Sequence, residues 1–220
     1  MIDIVREIDA MEREVASGRL AATEARTVRL RRRYQAPADD VWDALTNPKR
    51  IGRWFLPISG EYRIGGRFQF EGNAGGEILL CERPHRLRAT WVYGEVGEAP
   101  ASELEIRLRP AGDDATILEL EHTAFVPDEM WSQYGPGAVG VGWEQGLLGL
   151  ELHLRAGSVG DPMAWQLSGE GREFAARSSE AWGNANRAAG ADPDAAARAV
   201  ANTTAFYAPD PATQPAAATD

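Results

Sequence analysis

The sequence predicts an α+β protein in which an antiparallel sheet packs against one long helix, with further helices after it. Between Tyr62 and Thr123 apolar and polar residues alternate, which is typical of strands that bury one face. Residues 137–155 change to the spacing of a helix. The last 65 residues contain 20 alanines and several helix-capping residues, which indicates more helices there.

Composition excludes several classes of protein. Of the 220 residues, 44% are hydrophobic and 25% are charged, which is ordinary for a globular chain and unlike a disordered chain, a collagen-like repeat or a coiled-coil rod. The net charge of −10 at pH 7 disfavours nucleic acid as a partner. Cys81 is the only cysteine, so no disulfide can form within the chain, and a cytoplasmic location is expected. Neither a signal peptide nor a membrane span of about 18 apolar residues is recognisable, and we expect no membrane contact.

An amphipathic helix is predicted at the amino end, within residues 1–20. Four apolar residues at helical spacing form its stripe: Ile4, Ile8, Met11 and Val15. Asp3 can cap the first turn, and Gly18 can end the helix. An arginine-rich strand is predicted next, over residues 24–34. Pro37 then opens a short helix.

The long helix predicted at residues 137–155 has two apolar stripes on nearly opposite sides. The first stripe holds Val139, Trp143, Leu147, Leu150 and Leu154, and the second holds Val141, Leu148 and Leu152. Gly142, Gly146 and Gly149 share one flank, although each glycine costs a helix roughly 1 kcal/mol relative to alanine. This flank therefore indicates close backbone approach or room for a ligand.

The alanine-rich end predicts helices near residues 162–167, 169–188 and 193–206. These segments offer too few large side chains to form a core of their own. We therefore expect them to dock on the second stripe of the long helix, with a second subunit on that stripe as the alternative. Along the chain we therefore predict a helix at 1–20, a domain at 21–157, a docked helical extension at 158–208 and a disordered tail at 209–220.

Five segments resemble a known family over about residues 25–155. They read, in order, APADDVWDALTNPKRIGRWF, GGRFQF, GGEILLCERPHRLRATW, LELEHTAF and VGWEQGLLGLELHL. They look like the bacterial AHSA-like branch of the START/SRPBCC superfamily, named for homology to an activator of the heat-shock chaperone ATPase. The resemblance implies a helix-grip fold, in which a curved antiparallel sheet wraps a long carboxyl-terminal helix with a cavity between them. Members bind apolar ligands, cyclise polyketides or aid chaperones, so the fold leaves function open.

The arginine run near residue 30 looks at first like a nucleic-acid patch. On a strand, however, Arg29, Arg31 and Arg33 share the solvent face. In the implied fold the first strand pairs with the last, which places Glu119 and Glu121 opposite them. Cross-strand ion pairs then explain the run, and we expect no nucleic acid to bind.

The predicted ligand site is the set of residues expected to face the implied cavity. It comprises Trp42, Trp54, Phe55, Phe68, Phe70, Trp91, Tyr93, His122, Trp143 and Leu147. A cavity lined by aromatic rings with few polar groups suits an apolar ligand. The alternative is that these residues are ordinary core. Cys81 is expected to be a sheet residue without chemistry.

His122 allows two interpretations. It shares a strand face with apolar residues, so it is either a hydrogen-bonded core histidine or a polar anchor and general base in the cavity. Glu144 and Gln145 could be its partners, but their position on the helix favours an exposed stripe. No GxSxG, P-loop, HExxH or CxxC motif is present, so we nominate no catalytic residue, metal ligand or cofactor.

The resulting functional prediction is binding of a small apolar or amphipathic ligand between the sheet and the long helix, without established catalysis. One alternative is a cyclase, hydratase or hydrolase that uses His122. The other is a chaperone-accessory or stress-response interaction protein. A monomer or a homodimer fits each of them.

Overall fold

The structure, a computed structural model, describes residues 2–93, 102–158 and 160–209. The strands are β1 (Met11–Leu20), β2 (Thr23–Tyr34), β3 (Ile58–Gly60), β4 (Arg67–Phe70), β5 (Gly75–Glu82), β6 (Arg86–Thr90), β7 (Glu103–Pro110) and β8 (Thr116–Ala124). The helices are α1 (Ile4–Asp9), α2 (Ala38–Thr46), α3 (Pro48–Ile51), α4 (Asp128–Tyr134), α5 (Gly137–Leu154), α6 (Pro162–Leu167), α7 (Gly169–Ala188) and α8 (Pro193–Tyr207).

The eight strands in the described residues join one antiparallel sheet in the order β1-β2-β8-β7-β6-β5-β4-β3. The predicted α+β class and the helix-grip arrangement are confirmed. Strand β2 pairs with β8, so that Arg29 lies opposite Glu121 and Arg31 opposite Glu119. Arg29 Nη2 is 2.7 Å from Glu121 Oε2. The expectation therefore holds for Arg29, whereas Arg31 pairs with Glu12 of β1. Arg33 lies opposite Ile117 and hydrogen-bonds to Gln35 and to the Ala111 carbonyl oxygen instead of to a carboxylate.

The helix predicted within residues 1–20 is wrong beyond its first two turns. Asp3 does cap a helix, accepting a hydrogen bond from the backbone N–H of Arg6, but α1 ends at Asp9. Residues 11–20 form β1, a hairpin partner of β2. The apolar residues Met11 and Val15 fit a period of two as well as a helical stripe, and ladder pairing with β2 decides between the two patterns.

The two stripes of α5 are only partly separated, because Val141 of the second stripe joins the main core and Leu148 does not. Leu147 and Leu150 are buried in the main core under the sheet. Leu148 is buried with residues of α1, α6 and α7, including Trp165 and Phe174. The division into a domain at 21–157 and an extension at 158–208 stays a prediction, and all of the predicted tail at 209–220 except Pro209 lies outside the described residues.

Glu144 on α5 corrects a second expectation. It was expected on an exposed stripe, but only 1% of the residue is exposed. Arg13 of β1 donates from Nε to Glu144 Oε1 at 2.6 Å and from Nη2 to Oε2 at 2.7 Å. Burial raises the pKa of the Glu144 carboxyl, although Arg13 acts to lower it. The sequence-based expectation failed because Arg13 comes from a strand that it had assigned to a helix.

Candidate functional site

An apolar cavity of about 290 Å³ lies among α2, the inner face of the sheet and α5. Eight of the ten predicted site residues line it: Trp42, Trp54, Phe55, Phe68, Phe70, Trp91, Trp143 and Leu147. Exposed Tyr62 and Cys81 also line it, so the cavity reaches the surface on their side.

Aromatic rings in the wall meet edge to face or at a tilt. Phe55 and Phe70 have ring centroids 5.0 Å apart and planes at 85°. Trp91 lies 5.6 Å from Phe70 and 4.9 Å from Trp143. These are favourable aromatic geometries. They leave ring faces and edges as the surface that a ligand would meet.

The glycine flank of α5 provides both features between which the sequence left a choice: room beside the cavity and close backbone approach. Gly146 lines the cavity, and a Cβ there would lie 3.5 Å from the Phe55 ring. At Gly149 a Cβ would lie 2.5 Å from the carbonyl oxygen of Trp54. Gly149 therefore lets the segment after α3 pack directly on the helix, which places Trp54 and Phe55 in the cavity wall.

Polar groups in the lining are few, and several already have partners within the protein. Trp54 Nε1 donates to the Ala44 carbonyl oxygen at 3.0 Å. The Thr46 hydroxyl donates to the Trp42 carbonyl oxygen at 2.7 Å. Within the part of the chain that the structure describes, no charged residue lines the cavity. Such a wall disfavours a charged ligand, because a buried charge without a partner is costly.

Tyr93 does not belong to this site. It was expected to follow Leu87, Ala89 and Trp91 on the inner face, yet it is 64% exposed. Strand β6 ends at Thr90, and Trp91 and the next residue are both buried, so the alternation breaks there. The alternation of inward and outward side chains holds only within the strand, so it does not extend to Tyr93.

His122 also lies outside the cavity lining, although it is buried. Its Nδ1 accepts a hydrogen bond from Trp143 Nε1 at 3.1 Å, and its Nε2 lies 3.1 Å from Ser102 Oγ. Burial lowers the pKa of the imidazole to about 4. His122 therefore stands behind Trp143 as a neutral, hydrogen-bonded side chain rather than beside the space a ligand would fill.

Several lining residues escaped the sequence-based selection. Leu104, Ile106 and Leu120 follow the period of two and could have been found by it. Tyr62 and Cys81 carried no such signal, and Cys81 was expected to have no role. Among the described residues, no group of three or more His, Cys, Asp or Glu is arranged to hold a metal ion.

A curved antiparallel sheet, a long helix across it and an apolar cavity between them define a helix-grip protein. A family model described as activator of Hsp90 ATPase homolog 1-like protein matches residues 35–155. The chain belongs to this family, the AHSA-like branch of the START/SRPBCC superfamily.

Solved structures extend the similarity beyond that segment. The crystal structure of CalU16 from Micromonospora echinospora is 39% identical, covers 81% of this chain and 99% of its own, and has a TM-score of 0.63. Protein MLL2253 from Mesorhizobium loti is 28% identical and covers 59% of this chain and 97% of its own, with a TM-score of 0.51. DynU16, from the dynemicin biosynthetic locus, is 25% identical and covers 60% of this chain and 48% of its own, with a TM-score of 0.50. No match was found among curated proteins.

A helix that crosses a membrane must be both long and apolar. None of the helices in the described part of the chain combines the length and the apolar character that crossing a membrane requires.

Proposed function

We propose that this protein binds a small, uncharged, apolar or amphipathic molecule in the aromatic cavity. The observation that carries the proposal is the cavity itself, about 290 Å³ of space walled by Trp, Phe and aliphatic side chains. A void with this lining gives water few hydrogen-bond partners, so an apolar occupant is favoured over solvent.

Size and edge chemistry narrow the ligand class. The cavity lies near the lower end of the volumes of small-molecule sites, which begin at about 300 Å³. A ligand of two or three fused or linked rings matches this space and the ring faces of Trp91 and Trp143. The Tyr62 hydroxyl and the Cys81 thiol stand at the exposed edge, where a polar end of an amphipathic ligand would remain hydrated.

The description of one relative supports a role with small molecules. This chain is similar over most of its length to CalU16, and more distantly to DynU16 from the dynemicin biosynthetic locus. A biosynthetic locus handles small organic molecules, which agrees with the chemistry of the cavity. We also propose a cytoplasmic location, since the single Cys81 needs no oxidising compartment.

The geometry favours binding over a reaction at His122. A reaction at His122 would require contact between the imidazole and the ligand, whereas both ring nitrogens face protein groups and the ring does not line the cavity. The chaperone-accessory role draws its support from the description of the family.

The proposal is tested by titration with N-phenyl-1-naphthylamine, a neutral aromatic probe whose fluorescence rises in apolar surroundings. Two neighbouring residues of β5 supply a matched pair of variants, because both are exposed but only Cys81 lines the cavity. Cys81→Trp should weaken probe binding by at least about tenfold, while Glu82→Trp should leave it unchanged. Failure of the wild-type protein to take up the probe, or equal effects of the two variants, would contradict the proposal.

A further inference from the structure

A buried chain of hydrogen bonds connects the two tryptophans of the cavity wall. Trp143 Nε1 on α5 donates to His122 Nδ1 on β8 at 3.1 Å, and His122 Nε2 is 3.1 Å from Ser102 Oγ. The Ser102 hydroxyl donates to the backbone carbonyl oxygen of Trp91. The backbone N–H of Trp91 in turn donates to the Ser102 carbonyl oxygen at 2.8 Å. The chain therefore runs from one cavity indole to the backbone of the other.

The chemistry of the groups fixes the direction of the chain. An indole N–H only donates, so His122 Nδ1 must accept and the imidazole proton must sit on Nε2. Nε2 then donates to Ser102 Oγ, whose hydrogen is free to bind Trp91. Each donor in this chain of hydrogen bonds then has one acceptor. The arrangement requires a neutral imidazole, which agrees with the lowered pKa of His122.

The surroundings of His122 do not otherwise call for a polar side chain. Its ladder neighbours are Val28 on β2 and Leu104 on β7, both buried and apolar. A buried imidazole among such neighbours loses hydration that an aliphatic side chain would not lose. The hydrogen bonds at its two nitrogens offset that loss, and both lead to residues of the cavity wall.

We propose that His122 is a positioning residue that holds the Trp143 indole against Trp91 and thereby sets the affinity of the cavity for its ligand. The two rings are 4.9 Å apart with planes at 52°. Without the acceptor at Nδ1, Trp143, which is only half-buried, is free to leave this orientation. The effect on affinity rests on the proposed function, whereas the effect on the indole does not.

The test reads the indole N–H resonance of Trp143 in ¹H–¹⁵N spectra of the ligand-free protein, assigned with Trp143→Phe. His122→Leu removes both hydrogen bonds, and His122→Asn restores an acceptor near the position of Nδ1. Val28→Ala is the packing control, since it shortens the ladder neighbour of His122 and removes none of these hydrogen bonds. Each variant is also titrated with N-phenyl-1-naphthylamine.

His122→Leu should shift the indole resonance, speed its exchange with solvent and weaken probe binding by about tenfold. His122→Asn should bring both readouts back toward wild type, to within about threefold for binding. Val28→Ala should lower stability and leave both readouts in place. An unchanged indole resonance in His122→Leu overturns the proposal, as does an equal loss of binding in Val28→Ala.

Two further outcomes are decisive. If His122→Leu does not fold, Ser102→Ala replaces it, because loss of the Nε2 acceptor should also shift the Trp143 resonance; no shift overturns the proposal. If the wild-type protein takes up no probe, the proposed function fails, while the indole resonance still decides whether His122 positions Trp143.

Discussion

Arg13 of β1 and Glu144 of α5 form a two-pronged ion pair, with N–O distances of 2.6 and 2.7 Å, on a helix whose other face lines the cavity. The pair is almost sealed from solvent, because the two side chains are 9% and 1% exposed. It ties the amino-terminal hairpin to the helix that carries Trp143 and Leu147. The orientation of that helix in turn fixes the cavity wall.

Removing the charge of Glu144 should destabilise the protein strongly. Glu144→Gln leaves the Arg13 guanidinium buried without a counter-charge, and the free energy of unfolding should fall by about 3–5 kcal/mol. The control is Glu12→Gln, which breaks the exposed pair with Arg31, at 3.2 Å, and should cost less than about 1 kcal/mol. Urea unfolding measures both. Equal losses of unfolding free energy in the two variants would show that the buried pair stabilises the protein no more than the exposed one.

His122 should make stability depend on pH. Its pKa in the folded protein is about 4 because of burial, whereas an unfolded chain binds that proton near pH 6.5. The unfolded state therefore holds more protons between these values, so the free energy of unfolding should fall as pH drops from about 6.5 to about 4. The expected loss is about 3 kcal/mol.

His122→Asn isolates this contribution. Burial also lowers the pKa of His153, so the wild-type slope alone would mix two groups. Urea unfolding at a series of pH values should give a shallower acid slope for His122→Asn than for the wild type. Parallel slopes would mean that the imidazole is not kept neutral by the fold.

Two glycines of α5 should respond oppositely to alanine. Gly146→Ala brings its Cβ into ordinary contact with Phe55 and removes a helix penalty, so stability should rise by up to about 1 kcal/mol. Gly149→Ala places its Cβ 2.5 Å from the Trp54 carbonyl oxygen, which must move, so stability should fall. The midpoint of thermal unfolding, measured for each variant and for the wild type, checks both expectations. Stabilisation by Gly149→Ala would contradict the close approach.

The helices after Gly157 should contribute to the core of the whole chain. A chain that ends at Gly157 would expose Val141 and Leu148 on α5, and it should be less stable or self-associate. If it stays monomeric and as stable as the full chain, the docked extension is wrong.

A single substitution at Trp182 of α7 also tests the packing of the helices after Gly157 on α5. It is fully buried, and its indole occupies the space that a Cβ at Gly140 would need. Trp182→Ala should cost about 3–5 kcal/mol. Trp131→Ala is the matched control, because Trp131 on the exposed helix α4 is only half-buried, and it should cost clearly less. Similar losses from both would contradict tight packing of α7 on α5.

The sheet was predictable because apolar and polar residues alternate along strands such as β4 and β8, whose burial alternates in the same way. Phe68 and Phe70 face inward on β4, and Arg29 meets Glu121, which the fold places opposite it. The amino end was not predictable by the same means, because Met11 fits a helical stripe and a strand equally well. Long-range pairing with β2 decides the structure there.

The cavity was predictable as a set of aromatic residues but not in its limits. Hydrophobic pattern does not reveal that β6 ends before Tyr93, nor that Trp143 stands between His122 and the open space. Glu144 was assigned to an exposed stripe from its position on the helix, and its partner Arg13 lies in a segment that was predicted as helix but forms β1. The errors at His122 and Glu144 both concern contacts between segments far apart in sequence.

The position of a bound ligand decides whether the aromatic cavity is its site. Isotope-filtered nuclear Overhauser spectra of the complex with N-phenyl-1-naphthylamine locate the probe. Probe protons should show contacts to the rings of Trp91, Trp143 and Phe70. Contacts confined to exposed aromatic residues such as Phe206, with none to the cavity rings, would contradict binding in the aromatic cavity.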